Sequence, residues 1–151
     1  MKIVSHAFGY GDPIPAKYAR CGMGAANVSP PLSWSGVPAG TMGFALIMTD
    51  PDAPGGNFVH WIVFDLPAAV ESLPEGASGS EYMTEGMNDY GAVGYGGPCP
   101  PPGRLHRYFF RLYALDVASL DLPAGAGIDE VFGAMDGRVL ARAEWMGVYR
   151  R

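Results

Sequence analysis

The residues best equipped for chemistry sit in two short stretches. The first is DPDAPGGNFVHW, residues 50–61, with aspartates at 50 and 52, prolines behind them, a glycine pair and then His60 against Trp61. The second is GGPCPPPGRLHRY, residues 96–108, which carries Cys99 among prolines and ends on His106 and Tyr108. The chain has only 3 histidines, His6, His60 and His106, so two of the three are delivered by Gly/Pro-rich loops into apolar segments. On an extended strand His106 and Tyr108 face the same way, about 7 Å apart. Proline fixes the approach of each loop, which suits a rigid site.

Four chemistries compete for these groups. Asp50, Asp52, His60, His106 and Cys99 offer enough donors for a metal, but a metal needs three or four converging ligands and no familiar ligand spacing is present. Cys99 as a nucleophile with His60 or His106 as base is the sharpest enzymatic reading, whereas no Gly-x-Ser-x-Gly elbow supports a serine hydrolase. A plainer reading makes the aspartates turn formers, since Asp before Pro initiates turns, and the histidines ordinary core or loop residues. The fourth is a pocket for a small anion. Imidazole N–H and tyrosine O–H groups donate to phosphate or carboxylate, glycines let backbone N–H groups close on a ligand, and an aspartate bonded to one histidine fixes its tautomer and favours its charged form.

Three segments can position such a site. Residues 43–50, GFALIMTD, form a continuous apolar run that suits a strand buried on both faces. Residues 59–67, VHWIVFDLP, are rich in β-branched and aromatic side chains and stop at a proline. Residues 107–116, RYFFRLYALD, form a third strand in which Tyr108, Phe110, Leu112 and Ala114 share one face. Weaker signals place an edge strand near residues 2–6 and a short strand over 32–35 between prolines. At the other end Ile128, Phe132, Met135 and Val139 recur at helical spacing, with Asp129 and Glu130 in the first turn. The layout expected is mostly β, two packed antiparallel sheets, with one helical segment last.

Composition sets the outer limits. At 151 residues the chain makes one domain, spanning 1–151, and 48% apolar residues against 17% charged ones mark it as globular. Gly (22) and Pro (14) together exceed what a helical bundle tolerates. A net charge of −5 without a basic cluster argues against nucleic acid. No apolar run reaches the roughly 18–20 residues of a membrane span, and the N-terminal segment lacks the apolar core of a signal peptide, so a cytoplasmic protein without an integral membrane segment is expected. Two cysteines, Cys21 and Cys99, are too few for a disulfide scaffold and read as two reduced thiols.

Taken together, Asp-Pro-Asp-x-Pro, the His60–Trp61 pair, and Gly-Pro-x-Pro-Pro followed by Gly-x-x-His-Arg-Tyr resemble the phosphatidylethanolamine-binding protein family, also called Raf kinase inhibitor-like proteins, and most of all its bacterial branch. The resemblance runs from NVSPPLSWSGVPAG to VLARAEWMGVYRR, nearly the whole chain. It implies an antiparallel β-sandwich with Greek-key features and a short helical C-terminal region. It also implies a small pocket for phosphate-like anions or phosphoryl headgroups at one end, no cofactor, and no catalytic role. Matched by motif, Asp50, Asp52, His60, His106 and Tyr108 would form the wall, with Pro98 and the backbone of Gly97 as rim. The resemblance further implies possible docking on a kinase or protease, and a homodimer. Similar bacterial chains carry histidine where this one has Arg138, a difference that would alter ligand preference if that position borders the pocket.

Overall fold

The computed structural model describes residues 1–151. Its elements in chain order are β1 (Lys2–Val4), a single 3-10 turn (Ala16–Tyr18), β2 (Leu32–Ser35), β3 (Gly43–Asp50), β4 (Phe58–Pro67), β5 (Ser72–Leu73), β6 (Thr84–Glu85), β7 (His106–Leu115), α1 (Ile128–Met135) and β8 (Val139–Tyr149). They form two antiparallel sheets, one of order β1-β2-β5 and a larger one of order β6-β4-β3-β7-β8. No helix is long and apolar enough to cross a membrane.

The apolar run of β3 is explained by its place at the centre of the larger sheet, where all eight residues are buried. One face, with Phe44, Leu46 and Met48, joins Trp61 and Val63 of β4 and Tyr108, Phe110, Leu112 and Ala114 of β7. The smaller sheet covers that face with Ile3, Leu32, Trp34 and Leu73, and the Trp34 and Phe44 rings meet at 5.5 Å. The other face presents Ala45, Ile47, Ile62 and Phe64 to Val131 and Met135 of α1 and to Leu120 and Ala126. Alternate residues of one strand therefore serve two separate cores, which is why β3 is apolar throughout and does not alternate.

The expected strands at 43–50, 59–67 and 107–116 are present to within a residue. The C-terminal expectation needs correction. The helix stops at Met135, and the chain turns through Gly137 at φ 75°, a left-handed conformation that glycine adopts without steric cost. Val139 then opens an eleven-residue strand, not a further helical turn. β8 pairs along the whole of β7, from Leu115↔Val139 to His106↔Tyr149. Its signal is the alternation Ala141, Ala143, Trp145 inward and Arg142, Glu144 outward, which the three-to-four stripe from Ile128 to Val139 obscures.

Candidate functional site

Because β3 lies between β4 and β7, residues far apart in sequence reach the same end of the sheet. Asp50 ends β3 opposite Phe58, the first residue of β4, and Thr49 pairs with Phe109 near the start of β7. Asp50, His60, His106 and Tyr108 all line one cavity of about 130 Å³, walled also by Phe58, Tyr90 and the rim Cys99–Pro101. His6 stands apart, near Ser33 of the smaller sheet.

Asp50 organises the polar side. Its Oδ2 accepts from His106 Nδ1 at 2.7 Å, and both groups are buried. Its Oδ1 accepts the Asp52 N–H at 2.7 Å, closing the Asp-Pro-Asp turn. With Nδ1 engaged, Nε2 is the nitrogen His106 can offer a ligand. His60 is fixed in parallel: its Nδ1–H donates to the Gly96 carbonyl at 2.6 Å. Its ring packs edge-on against Tyr108 (5.2 Å) and Tyr90 (5.6 Å). Burial holds the His60 ring below the ordinary imidazole range, against the opposing pull of the Gly96 carbonyl and the Asp50 charge. The free site thus favours a neutral His60 with an Nε2 lone pair.

Tyr108 is the unusual member. Its hydroxyl is buried without a well-formed hydrogen bond, although the Asp50 carboxylate lies near it. Burial first, and then the negative charge of Asp50, push its pKa far up, so it remains a phenol with a proton to donate. A buried hydroxyl without a partner costs about 1–3 kcal/mol, and a ligand acceptor in the cavity would remove that cost.

The remaining expected residues do not line the cavity. The Asp52 carboxylate is gripped by Arg107: Nε to Oδ2 and Nη2 to Oδ1, each 2.9 Å, with the Arg107 N–H adding a third bond at 3.0 Å. The guanidinium hydrogen bond holds Asp52 down at about 2. Asp52 therefore ties the 50–54 turn to the start of β7. The Gly97 N–H donates to Asn27 Oδ1 at 2.7 Å, and the Gly97 carbonyl accepts the Tyr90 hydroxyl at 2.8 Å. The Pro98 carbonyl accepts the Arg20 N–H at 2.9 Å. These backbone groups brace the wall from behind, and the rim falls one to three residues later. Arg138 is also elsewhere, 3.9 Å from Asp116 past the far end of β7, about ten residues and roughly 30 Å of strand from His106; it does not border the pocket.

The cysteines need a second correction. Cys21 and Cys99 are joined in a disulfide with Cα atoms 5.2 Å apart, across 78 residues of sequence. They are not two reduced thiols, and Cys99 has no thiolate to act as nucleophile while the bond is closed. Ala53, Pro54, Phe58, Tyr90, Pro100 and Pro101 also line the cavity and were not expected there. Ala53, Pro54 and Phe58 stand inside the 50–61 stretch, and Pro100 and Pro101 inside the 96–108 stretch. Tyr90, in a loop without periodicity, had no such flag.

A mostly β chain of two antiparallel sheets, with a small His/Asp/Tyr cavity at one end, defines a ligand-binding class of protein. The match to known proteins then names the family. The family model described as phosphatidylethanolamine-binding protein matches residues 4–150, and the chain belongs to that family. Curated relatives include UPF0098 proteins from Aquifex aeolicus, 46% identical and covering all of this chain and 89% of the relative, and from Methanothermobacter thermautotrophicus, 46% identical and covering all of this chain and 99% of the relative. Among solved structures, a phosphatidylethanolamine-binding protein homologue from Chlamydia trachomatis superposes with a TM-score of 0.90 at 42% identity, covering 99% of this chain and 97% of that one. Escherichia coli YbcL, described as a member of the mammalian PEBP family, gives 0.91 at 33% identity, covering 99% and 98%.

Proposed function

We propose that the protein binds a small anion, phosphate or the phosphoryl group of a larger molecule, in the cavity between His60, His106 and Tyr108. The Tyr108 hydroxyl carries this reading: it is a buried donor with no well-formed hydrogen bond, near only the Asp50 carboxylate, and a ligand acceptor in the cavity would give it a partner. His106 and His60 support it in the same way: each spends Nδ1–H inside the protein, on Asp50 and on the Gly96 carbonyl. Each Nε2 therefore faces a ligand as an acceptor when the ring is neutral and becomes a donor to an anion once the ring is protonated. The binding role is non-catalytic on this reading, and the thiol that an enzymatic alternative would use, Cys99, is closed in a disulfide.

Calorimetric titration of inorganic phosphate and glycerophosphoethanolamine at pH 5.5 and pH 8 tests it. Binding of both at millimolar concentration or better, stronger at pH 5.5, is expected. No heat from either ligand at either pH would refute the anion site.

Docking on a kinase or protease, with the cavity as a regulatory handle, and assembly as a homodimer belong to the same proposal. Light scattering that stays monomeric from micromolar to millimolar protein would remove the dimer. The compartment depends on the disulfide, since cytosolic thiols are kept reduced and such bonds persist in oxidising surroundings. Acid quenching of cells followed by alkylation decides this: two labelled cysteines uphold the cytoplasmic expectation, and none places the protein in an oxidising compartment.

A further inference from the structure

We propose that the guanidinium groups of Arg20 and Arg151 form a second anion subsite on the rim of the cavity, so that the protein prefers a ligand with two linked phosphoryl groups over one with a single group. The proposal rests on the anion-pocket reading and extends it outward.

A cavity of about 130 Å³ holds one tetrahedral anion, the space of about four waters. The rest of any larger ligand must leave over the rim at Cys99, Pro100 and Pro101. Two arginines are fastened there. Arg20 lays its guanidinium over the ring of Tyr90, a cavity wall, 3.8 Å from the ring centroid. Its own N–H is tied to the Pro98 carbonyl at 2.9 Å. Arg151 donates from Nε to the Pro100 carbonyl at 2.8 Å, and its backbone oxygen accepts from the Gly103 N–H at 3.0 Å. Its stem passes Gly22, where an added Cβ would stand 3.8 Å from Cδ. Arg20 and Gly22 are the two neighbours of Cys21, so the Cys21–Cys99 bond holds both arginines against the same rim.

Neither guanidinium has a carboxylate partner, a lack they share with Lys2, Arg104, Arg142 and Arg150; what sets Arg20 and Arg151 apart is that each is fastened to a wall or rim residue of the cavity. In a chain with 15 acidic residues and a net charge of −5, two exposed arginines attached beside the one cavity built on buried histidines make that rim locally basic. Each retains free N–H donors, since Nε alone of Arg151 is engaged, and the contact of Arg20 with the Tyr90 side chain leaves most of its five N–H groups unspent. The anchoring is set before any ligand arrives: the Tyr95 hydroxyl also donates to the Tyr18 carbonyl at 2.7 Å, and the Gly97 N–H to Asn27 at 2.7 Å. The backbone that carries Arg20 is thus fixed, and side-chain ordering is what binding has left to do.

The test is calorimetry of inorganic phosphate and inorganic pyrophosphate, without divalent metal, into wild type, the double variant R20Q/R151Q and the control R142Q. Arg142 lies on β8 opposite Tyr113, seven residues along β7 from His106, and reports the effect of charge alone. Wild type should prefer pyrophosphate at least tenfold. R20Q/R151Q should lose about tenfold for pyrophosphate while its phosphate affinity stays within threefold, and R142Q should match wild type. A double variant that keeps the full preference, or an R142Q as impaired as the double variant, overturns the subsite while phosphate binding leaves the cavity reading intact. Wild type that binds neither anion overturns both. Melting curves of all variants confirm that each is folded.

Discussion

At the scale of single residues, Tyr108 offers the cleanest separation of binding from folding. Its hydroxyl is buried and makes no well-formed hydrogen bond within the protein, with only the Asp50 carboxylate near it. Tyr108→Phe should therefore leave stability unchanged or raise it by up to about 1–3 kcal/mol, while phosphate affinity falls roughly tenfold. A melt combined with a phosphate titration checks both signs, and a Tyr108→Phe variant that binds as wild type would remove the hydroxyl from the site. His106→Ala is less clean, because it strands the buried Asp50 carboxylate and should cost about 3–5 kcal/mol of stability besides weakening binding. His60 supplies the pH dependence. Its folded pKa lies below the ordinary value and the unfolded chain titrates near 6.5, so the unfolded state binds more protons between the two. The stability that His60 contributes is present above about pH 6.5 and is lost as pH falls toward the depressed folded value. Anion affinity has the opposite sign, because protonation turns Nε2 from acceptor to donor, and bound phosphate should raise the His60 pKa. A proton NMR titration of the His60 ring, with and without phosphate, measures this; a free ring titrating at or above 6.5, or one that phosphate does not move, would contradict the assignment.

At the scale of elements, the site exists because three strands end together. The apolar run of 43–50, the β-branched run of 59–67 and the period-two face of Tyr108, Phe110, Leu112 and Ala114 were readable, since each reports burial directly. Their adjacency puts Asp50, His60, His106 and Tyr108 around one cavity. What was not readable is which polar groups face inward. Asp50 and Asp52 look equivalent in sequence, yet one orients His106 and the other clamps Arg107, a difference set by the turn between them. β8 was obscured for a related reason, since Val139 continues a helical stripe that Gly137 has already ended. Gly97 shows how closely the loops behind the site dock. A Cβ there would run into the Tyr18 carbonyl and the Ala19–Arg20 peptide, all backbone, which cannot rotate aside. Gly97→Ala should thus destabilise by at least about 1–3 kcal/mol and lower phosphate affinity through the displaced rim. A Gly97→Ala protein with the wild-type melting temperature would show that the two loops are not packed as described.

At the scale of the whole molecule, the disulfide is the longest-range constraint and the least legible in sequence. Two cysteines 78 residues apart carry no spacing signal, and only folding brings their Cα atoms to 5.2 Å. In the chain-entropy model a closed loop of that length limits the unfolded ensemble by about 4.5 kcal/mol, within the range of about 0–5 kcal/mol for such bonds. The native rim, by contrast, keeps other ties: Arg20 N–H to Pro98, Gly97 N–H to Asn27, and the Tyr95 hydroxyl to the Tyr18 carbonyl. Loss of the bond should therefore act mainly on the unfolded state. The paired substitution Cys21→Ser with Cys99→Ser should lower the melting temperature by about 9–18 °C, at roughly 2–4 °C per kcal/mol for a domain of this size. Phosphate affinity of the folded variant should stay within about threefold of wild type, because His60, His106 and Tyr108 stand on paired strands of the larger sheet and not on the two segments that carry the cysteines. Thermal melts and calorimetry on the oxidised protein, the dithiothreitol-reduced protein and the double variant make the measurement. A melting temperature unchanged by either treatment would contradict the loop-closure argument. An unchanged melt with abolished binding would instead make the bond a determinant of the cavity's shape.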